Sequence, residues 1–407
     1  MGGFAGWHHN TVAKLEAEGR CRLVCSCDPD RAAFAAAEAE WRFPQRGVRV
    51  FDDFRAMLNA CRDELDFVVI PTPIALHAEM HEAVTACGIP AYVEKPPSLD
   101  IAELEGMIAA DRRARKSAAV GFNFIVERER LALKERILSG EFGAVREATF
   151  LGLWPRSLDY FTRNDWAGRL LKDGRPVMDS VFGNASSHFV HNILFWPGGP
   201  GLLSWAQVAR VRAELYRAHA IPGADTFLVG METPSNQRIR IAMTHACAGE
   251  SRGVETIRCE KAVITWFFGD RIEIRWDDGR TDRIVPQPFD GLRENHLAYY
   301  SYLNGESPRP ITTLEDCRPF VTLNDLAYIS SGRISPFPSG AVSGVRDAKD
   351  NKDYLSVDGM APALEGFLAE GRWPDSGAWA REPGATTTPA DLPRLAAVLR
   401  AMEAAPR

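Results

Sequence analysis

The chain has 407 residues, 45% of them hydrophobic, with 48 basic and 54 acidic side chains interspersed to a net charge of −6. Such a composition suits a globular protein large enough for two domains and lacks the concentrated basic patch that nucleic-acid binding needs. No apolar run reaches the roughly 18 residues of a membrane span, no signal-peptide pattern opens the chain, and the eight scattered cysteines suggest neither a zinc knuckle nor a disulfide frame, so a reduced, cytoplasmic protein is expected.

The first residues, MGGFAGWHHN, crowd Gly2, Gly3 and Gly6 ahead of a helical pattern carrying Val12, Ala13 and Leu15. Glycines feeding a helix let the backbone approach a pyrophosphate held on free N–H groups, although an ordinary turn is the bland alternative. A buried strand normally precedes such a loop. RLVCSCD reads as the next strand and ends at Asp28, whose carboxylate can accept hydrogen bonds from an adenosine ribose while repelling a 2'-phosphate, so NAD is expected and NADP disfavoured.

Helical RAAFAAAEAEW, strand VRVF, helical DFRAMLNAC and strand DFVVI follow, the last leading into Pro71, Thr72 and Pro73, with His77 opening the next helix. Strand PAYV runs into Glu94, Lys95, Pro96 and Pro97. A Glu–Lys pair is often a solvated surface feature, but at a strand's carboxyl end beside a nicotinamide the ammonium can hold a substrate hydroxyl and lower its pKa. Short apolar runs alternating with helical patterns predict a parallel sheet wrapped by helices. From about Ala144 the rhythm changes to period-2 segments such as AVREATFLGLW, RIRIAMTHAC and DRIEIRWDDG, which predict an antiparallel sheet. TLEDCRPFVTLNDLAYISSG reads as a helix after that sheet, SPFPSGAVSG as a connector, and ALEGFLAEG and DLPRLAAVLRAMEAA as short helices in the tail.

GGFAG with His8, CDPD, the TP…H stretch, EKPP and VGFNF stand in an order and spacing that resembles the glucose-fructose oxidoreductase and inositol dehydrogenase family (Gfo/Idh/MocA) over about residues 1–335. The resemblance implies an α/β fold. A dinucleotide-binding Rossmann-type domain over residues 1–122 lacks its first strand, a C-terminal α+β domain over 123–335 carries a large open, mainly antiparallel sheet, and residues 336–407 are an extension. In the family's glycine motif Met1 takes a variable place and Ala5 replaces the third glycine, so a start roughly ten residues upstream is expected. The residues placed towards the cofactor are Gly2, Gly3, Phe4, Ala5, Asp28, Pro71, Thr72, Pro73, His77, Glu94 and Lys95.

The family's second motif matches RPVMDSVFGNASSHFVHNILFW, where its aspartate, histidine and acid read Asn184, His188 and His191. His188 is suited to take the proton of an alcohol. Asn184 and Asn123 are expected to orient the substrate; Asp179 supplies the charge near His188 that Asn184 cannot, or else caps the following turn. Tyr160, Arg163 and Trp166 form a polar and aromatic loop that grips a polyol or simply lies on the surface. His188 and His191 lack a third ligand, so no metal is expected. The implied protein is an NAD-dependent dehydrogenase acting on a CH–OH group of a sugar, cyclitol or polyol and a homo-oligomer, dimer or tetramer, through its C-terminal sheet. The alternatives are a redox-neutral NAD-using glycosidase or epimerase and a nucleotide-sensing relative without chemistry.

Overall fold

The computed structural model describes residues 3–405, which leaves Gly2 outside the described residues. Two compact units emerge: Met1–Ser98 with Ala102–Glu127 and Phe289–Cys317, and Leu99–Ile101 with Arg128–Pro288 and Arg318–Arg407. Residues 289–317, expected in the second domain, thus group with the first unit, and residues 336–407, expected as an extension, group with the second.

In the first unit, β1 (Cys25–Cys27) pairs in parallel with β2 (Arg49–Phe51), and β3 (Val68–Ile70), β4 (Ala91–Val93) and β5 (Ala119–Val120) form a separate parallel sheet in that order. A doubly wound dinucleotide sheet runs 3-2-1-4-5-6. The β2–β1 and β3–β4–β5 orders match the two arms of that pattern, and among the described residues no strand joins the two sheets. β4 is buried along its whole length, as a parallel strand covered on both faces must be.

The surrounding helices are α1 (Gly3–Ala17), α2 (Arg31–Glu40), α3 (Phe43–Arg46), α4 (Phe54–Cys61), α5 (His77–Ala86) and α6 (Ile101–Asp111). Acidic N-caps start two of them: Asp30 accepts from the Ala33 N–H at 2.9 Å and Asp53 from the Ala56 N–H at 2.7 Å. The glycine cluster is already helical from Gly3 onward. A later helix, α9 (Gly291–Leu303), closes this unit. Its buried residues include Asn295 and His296 beside Tyr299 and Tyr300, so no apolar stripe announces it in the sequence.

The second unit is built on nine strands in the order β15-β14-β13-β12-β6-β11-β10-β9-β16. These are β6 (Val145–Leu153), β9 (Arg210–Arg217), β10 (Thr226–Glu232), β11 (Arg238–Thr244), β12 (Arg252–Cys259), β13 (Ala262–Phe267), β14 (Arg271–Trp276), β15 (Thr281–Ile284) and β16 (Ile334–Pro336). The pairing is antiparallel except for β6 with β11 and β9 with β16. Two small hairpins complete the strands, β7 (Leu171–Lys172) with β8 (Arg175–Pro176) and β17 (Val342–Asp347) with β18 (Lys352–Val357).

Helix α7 (Arg128–Leu138) fixes the end of α8 (Ser187–Phe195): the Lys134 ammonium donates to the carbonyls of Phe195, Trp196 and Gly198 at and just beyond its last turn. Phe189 stacks on Phe150 of β6 at 5.1 Å and on Trp154 at 4.7 Å, seating α8 on the sheet. Along β9, Ser330 and Ser331 at the end of α10 (Arg318–Ser331) accept from the N–H groups of Ala213 and Leu215, and Thr387 exchanges both backbone bonds with Val211. An exposed edge is thereby covered.

The tail contributes more than a linker. Met360, Leu364 and Phe367 of α11 (Met360–Glu370), together with Trp379, form one buried cluster with Leu151, Leu153, Leu228 and Ala242 of the sheet. The helix α12 (Leu395–Ala404) ends the described chain. Among the described residues no helix is long and apolar enough to cross a membrane. Because Phe367 is buried, Phe367→Ala is expected to lower stability by about 3–5 kcal/mol in urea unfolding; a loss under about 1 kcal/mol would show the tail to be detachable.

Candidate functional site

In the first unit the parallel strands deliver the motif residues at their carboxyl ends. β1 ends in Asp28, which is buried; its N–H donates to Phe51 O and its Oδ1 accepts from the Asp30 N–H, both at 3.0 Å. β3 ends in the Pro71–Thr72–Pro73 loop, β4 in Glu94 and Lys95, and β5 in Gly121, Phe122 and Asn123. His77 has its ring nitrogens 2.9 Å from Thr72 O and 3.1 Å from Pro96 O, tying the loop after β3 to the turn after β4. Burial lowers its pKa, and a neutral ring has one N–H, so it donates to one of these two carbonyls at a time. The N-terminal turn of α1 contains no acidic residue, so its free N–H groups keep their positive field; Phe4 is exposed there and Ala5 buried.

Glu94 organises the same region from inside. Its Oε1 lies 2.8 Å from His8 Nε2 and its Oε2 accepts from the Lys95 N–H at 3.0 Å. A carboxylate only accepts, so His8 carries its proton on Nε2. His8 Nδ1 then lies 3.0 Å from His296 Nε2, and His296 Nδ1 3.3 Å from the Tyr300 hydroxyl. Burial, with His8 alongside, pushes the His296 pKa well below its ordinary value, so a neutral ring passes the chain on. A Cβ at Gly121 would stand 2.8 Å from Glu94 Oε1, which is why that position has no side chain. Asn123 is buried, and its Oδ1 accepts from the Tyr92 hydroxyl at 2.9 Å and from Asn295 Nδ2 at 2.9 Å. That oxygen is therefore committed within the unit.

The second unit gathers the other motif around Asp179. Its Oδ1 accepts from Asn184 Nδ2 at 2.7 Å; its Oδ2 accepts from the Gly168 N–H at 2.8 Å and from Arg163 Nη2 at 3.2 Å. The residue before it, Met178, has φ 43°, a strained value for a side chain of that size. The turn that follows, Val181–Ala185, is a single π turn, a distortion often found at functional sites. Ser180 caps it by accepting from the Gly183 N–H at 2.9 Å, so the capping alternative considered for Asp179 falls to its neighbour.

Arg163 lies 3.7 Å over the Tyr160 ring and 5.0 Å from that of Trp166, and its Nη1 donates to Tyr160 O. Tyr160, Arg163, Trp166, Asp179 and Asn184 are thus one cluster. Burial, reinforced by Asp179, raises the Tyr160 pKa. His188 is half-buried in the first turn of α8. His191 is fully buried, 4.7 Å from the Trp205 ring, with its pKa pushed well below the ordinary value by burial and by Arg130. Among the described residues no three His, Cys, Asp or Glu side chains converge as a metal site.

Residues 1–122 match the family model for Gfo/Idh/MocA proteins, an oxidoreductase family with an NAD-binding Rossmann fold. Over this region the chain is similar to Gfo/Idh/MocA proteins. A D-apiose dehydrogenase from Paraburkholderia graminis is 33% identical over 102 residues, 25% of this chain and 26% of that protein. A glycosyl hydrolase family 109 protein from Shewanella sp. strain W3-18-1 is 31% identical over 126 residues, 30% of this chain and 27% of that protein. The matches thus span only about a quarter of these relatives. The WlbA dehydrogenase from Bordetella pertussis, solved with NADH and UDP-GlcNAcA, shares the fold with a TM-score of 0.63 at 24% identity, over 80% of this chain and 92% of that one.

Sequence reasoning missed the partners of the motif residues: Tyr92, Asn295 and His296 around Asn123 and His8, and Gly168 on Asp179. Asn295 and His296 lie some 170 or more positions from the side chains they meet, so spacing carried no signal. His8→Ala should strand the buried Glu94 carboxylate and cost about 1–3 kcal/mol, and the double variant with Glu94→Gln should lose less than the sum of the two single losses. Additive losses in urea unfolding would show that the two side chains do not act together.

Proposed function

We propose that this protein is an NAD-dependent dehydrogenase of a sugar, cyclitol or polyol hydroxyl. The observation that carries the reading is that β1, β3, β4 and β5 end in Asp28, the Pro71–Pro73 loop, Glu94–Lys95 and Gly121–Asn123, at the strand ends where open parallel sheets bind dinucleotides. The residues fit that cofactor: Asp28 offers a buried carboxylate to a ribose, and the acid-free N-terminus of α1 suits a pyrophosphate. The nicotinamide, when bound, supplies the hydride acceptor.

In this reading Lys95 polarises the substrate hydroxyl and His188 takes its proton. Asn184, held by its amide nitrogen on Asp179, orients a neighbouring hydroxyl. Asn123 supports the strand end from inside. Tyr160, Arg163 and Trp166 contact the sugar. Self-association is assigned to the part of the sheet that α11 leaves uncovered.

A second reading is favoured by the glycosyl hydrolase family 109 relatives, whose name denotes hydrolysis rather than net oxidation. A screen of sugars and polyols with NAD separates the two. A dehydrogenase accumulates NADH in step with product, whereas a redox-neutral enzyme releases product with none.

Asp28→Ser is expected to weaken NAD and relieve the repulsion of NADP, shifting the preference by about 1–3 kcal/mol; unchanged kinetics with both cofactors would remove Asp28 from the site. Lys95→Met and His188→Ala should each lower kcat roughly 100- to 10,000-fold while leaving NAD affinity nearly intact. Fluorescence titration of NAD alongside turnover checks this, and retention of kcat by either variant would remove that residue from the chemistry.

A further inference from the structure

A cavity of about 350 Å³ opens in the second unit beside the Asp179 cluster, and its charge is unlike that of a pocket for a neutral sugar. One wall is the turn after β6, contributing Arg156, Asp159, Tyr160 and Arg163; the other is the β17–β18 hairpin of the C-terminal tail, contributing Lys352 and Tyr354. A bridge between Ser157 and Tyr354 ties the walls together.

Three cations face one lining carboxylate. Arg163 is partly neutralised by Asp179, outside the lining. Arg156 packs 4.9 Å over the Tyr160 ring, and its buried Nε has no hydrogen-bond partner among the described residues. Lys352 is exposed; on the hairpin Asp350 accepts from the Tyr354 hydroxyl at 2.5 Å and from the Lys352 N–H at 3.1 Å, its carboxyl held low by that hydroxyl and by Lys352, while Asp353 pairs with Arg346 at 2.7 Å. A guanidinium over an aromatic ring and an ammonium on the other wall form a receptor for an oxyanion.

We propose that this pocket receives an anionic substituent of the substrate, a carboxylate or a phosphate, so that the enzyme selects charged over neutral sugars. The proposal rests on the dehydrogenase reading and extends it, because Arg163 and Tyr160 belong both to this pocket and to the cluster around Asp179 and Asn184. The hairpin of the tail is then a specificity element.

The test compares D-glucuronate and D-glucose 6-phosphate with D-glucose as substrates at low ionic strength, in the full chain and in Lys352→Glu, Lys352→Arg and Arg156→Gln. An anionic sugar should show the higher kcat/KM, and whichever of the two does so names the anion. That preference should fall about tenfold in Lys352→Glu and Arg156→Gln and persist in Lys352→Arg. Equal kcat/KM for charged and neutral sugars, or a preference that Lys352→Glu leaves in place, overturns the proposal while the dehydrogenase reading stands. If no sugar yields NADH, that reading fails, and calorimetric titration with D-glucuronate and inorganic phosphate decides the pocket separately. Binding lost in Lys352→Glu supports it, and no binding overturns it.

Discussion

A buried carboxylate must be given partners, and the first unit is arranged around one. Glu94 leaves the end of β4 pointing inward, where an unmatched charge would be too costly to keep. His8 from α1 and the N–H of Lys95 meet its two oxygens, Gly121 withdraws to leave it room, and His296 and Tyr300 from α9 continue the chain of hydrogen bonds. Four segments distant in sequence are therefore placed by one acidic group. The N–H of Lys95, the residue assigned to polarise a substrate, is held by the same carboxylate.

The second unit repeats the logic with Asp179. Its two oxygens collect a guanidinium, a side-chain amide and a backbone N–H, and the chain accepts a strained residue before it and a π turn after it to bring them there. Asn184 is neutral, with a carboxylate bonded behind it, so the charge stands one hydrogen bond away from that position. An amide orients a hydroxyl as well as a carboxylate does but does not stabilise a cation equally.

The tail changes the sheet as well as the pocket. Hydrophobic faces of open sheets need cover, and here α11 and Trp379 supply it within the same chain over β6, β10 and β11, while α10 and Thr387 close the edge along β9. The hairpin between them reaches back over the turn after β6. A segment that reads as connector and short helices is thus part of the core of its unit, and it brings two charged or aromatic side chains, Lys352 and Tyr354, to a wall that the turn alone would leave open.

Much of the architecture was legible in one dimension. Apolar runs alternating with helical patterns, then period-2 segments, are local consequences of burial on two faces or on one, and they gave the α/β unit and the mainly antiparallel sheet that the structure has. Asp28, the Pro71–Pro73 loop and Lys95 were legible for the same reason: a strand's end is marked where its apolar run stops. The tertiary structure alone decided who meets whom. The α9 segment lacks an apolar stripe because its buried face is polar, and His296, Asn295 and Gly168 acquire meaning only when a carboxylate or amide from elsewhere needs them. Hydrogen-bond satisfaction of buried polar groups is a property of three-dimensional neighbours, whereas periodicity is a property of the chain, and that difference divides what the sequence by itself determined about this protein from what only the folded structure could decide.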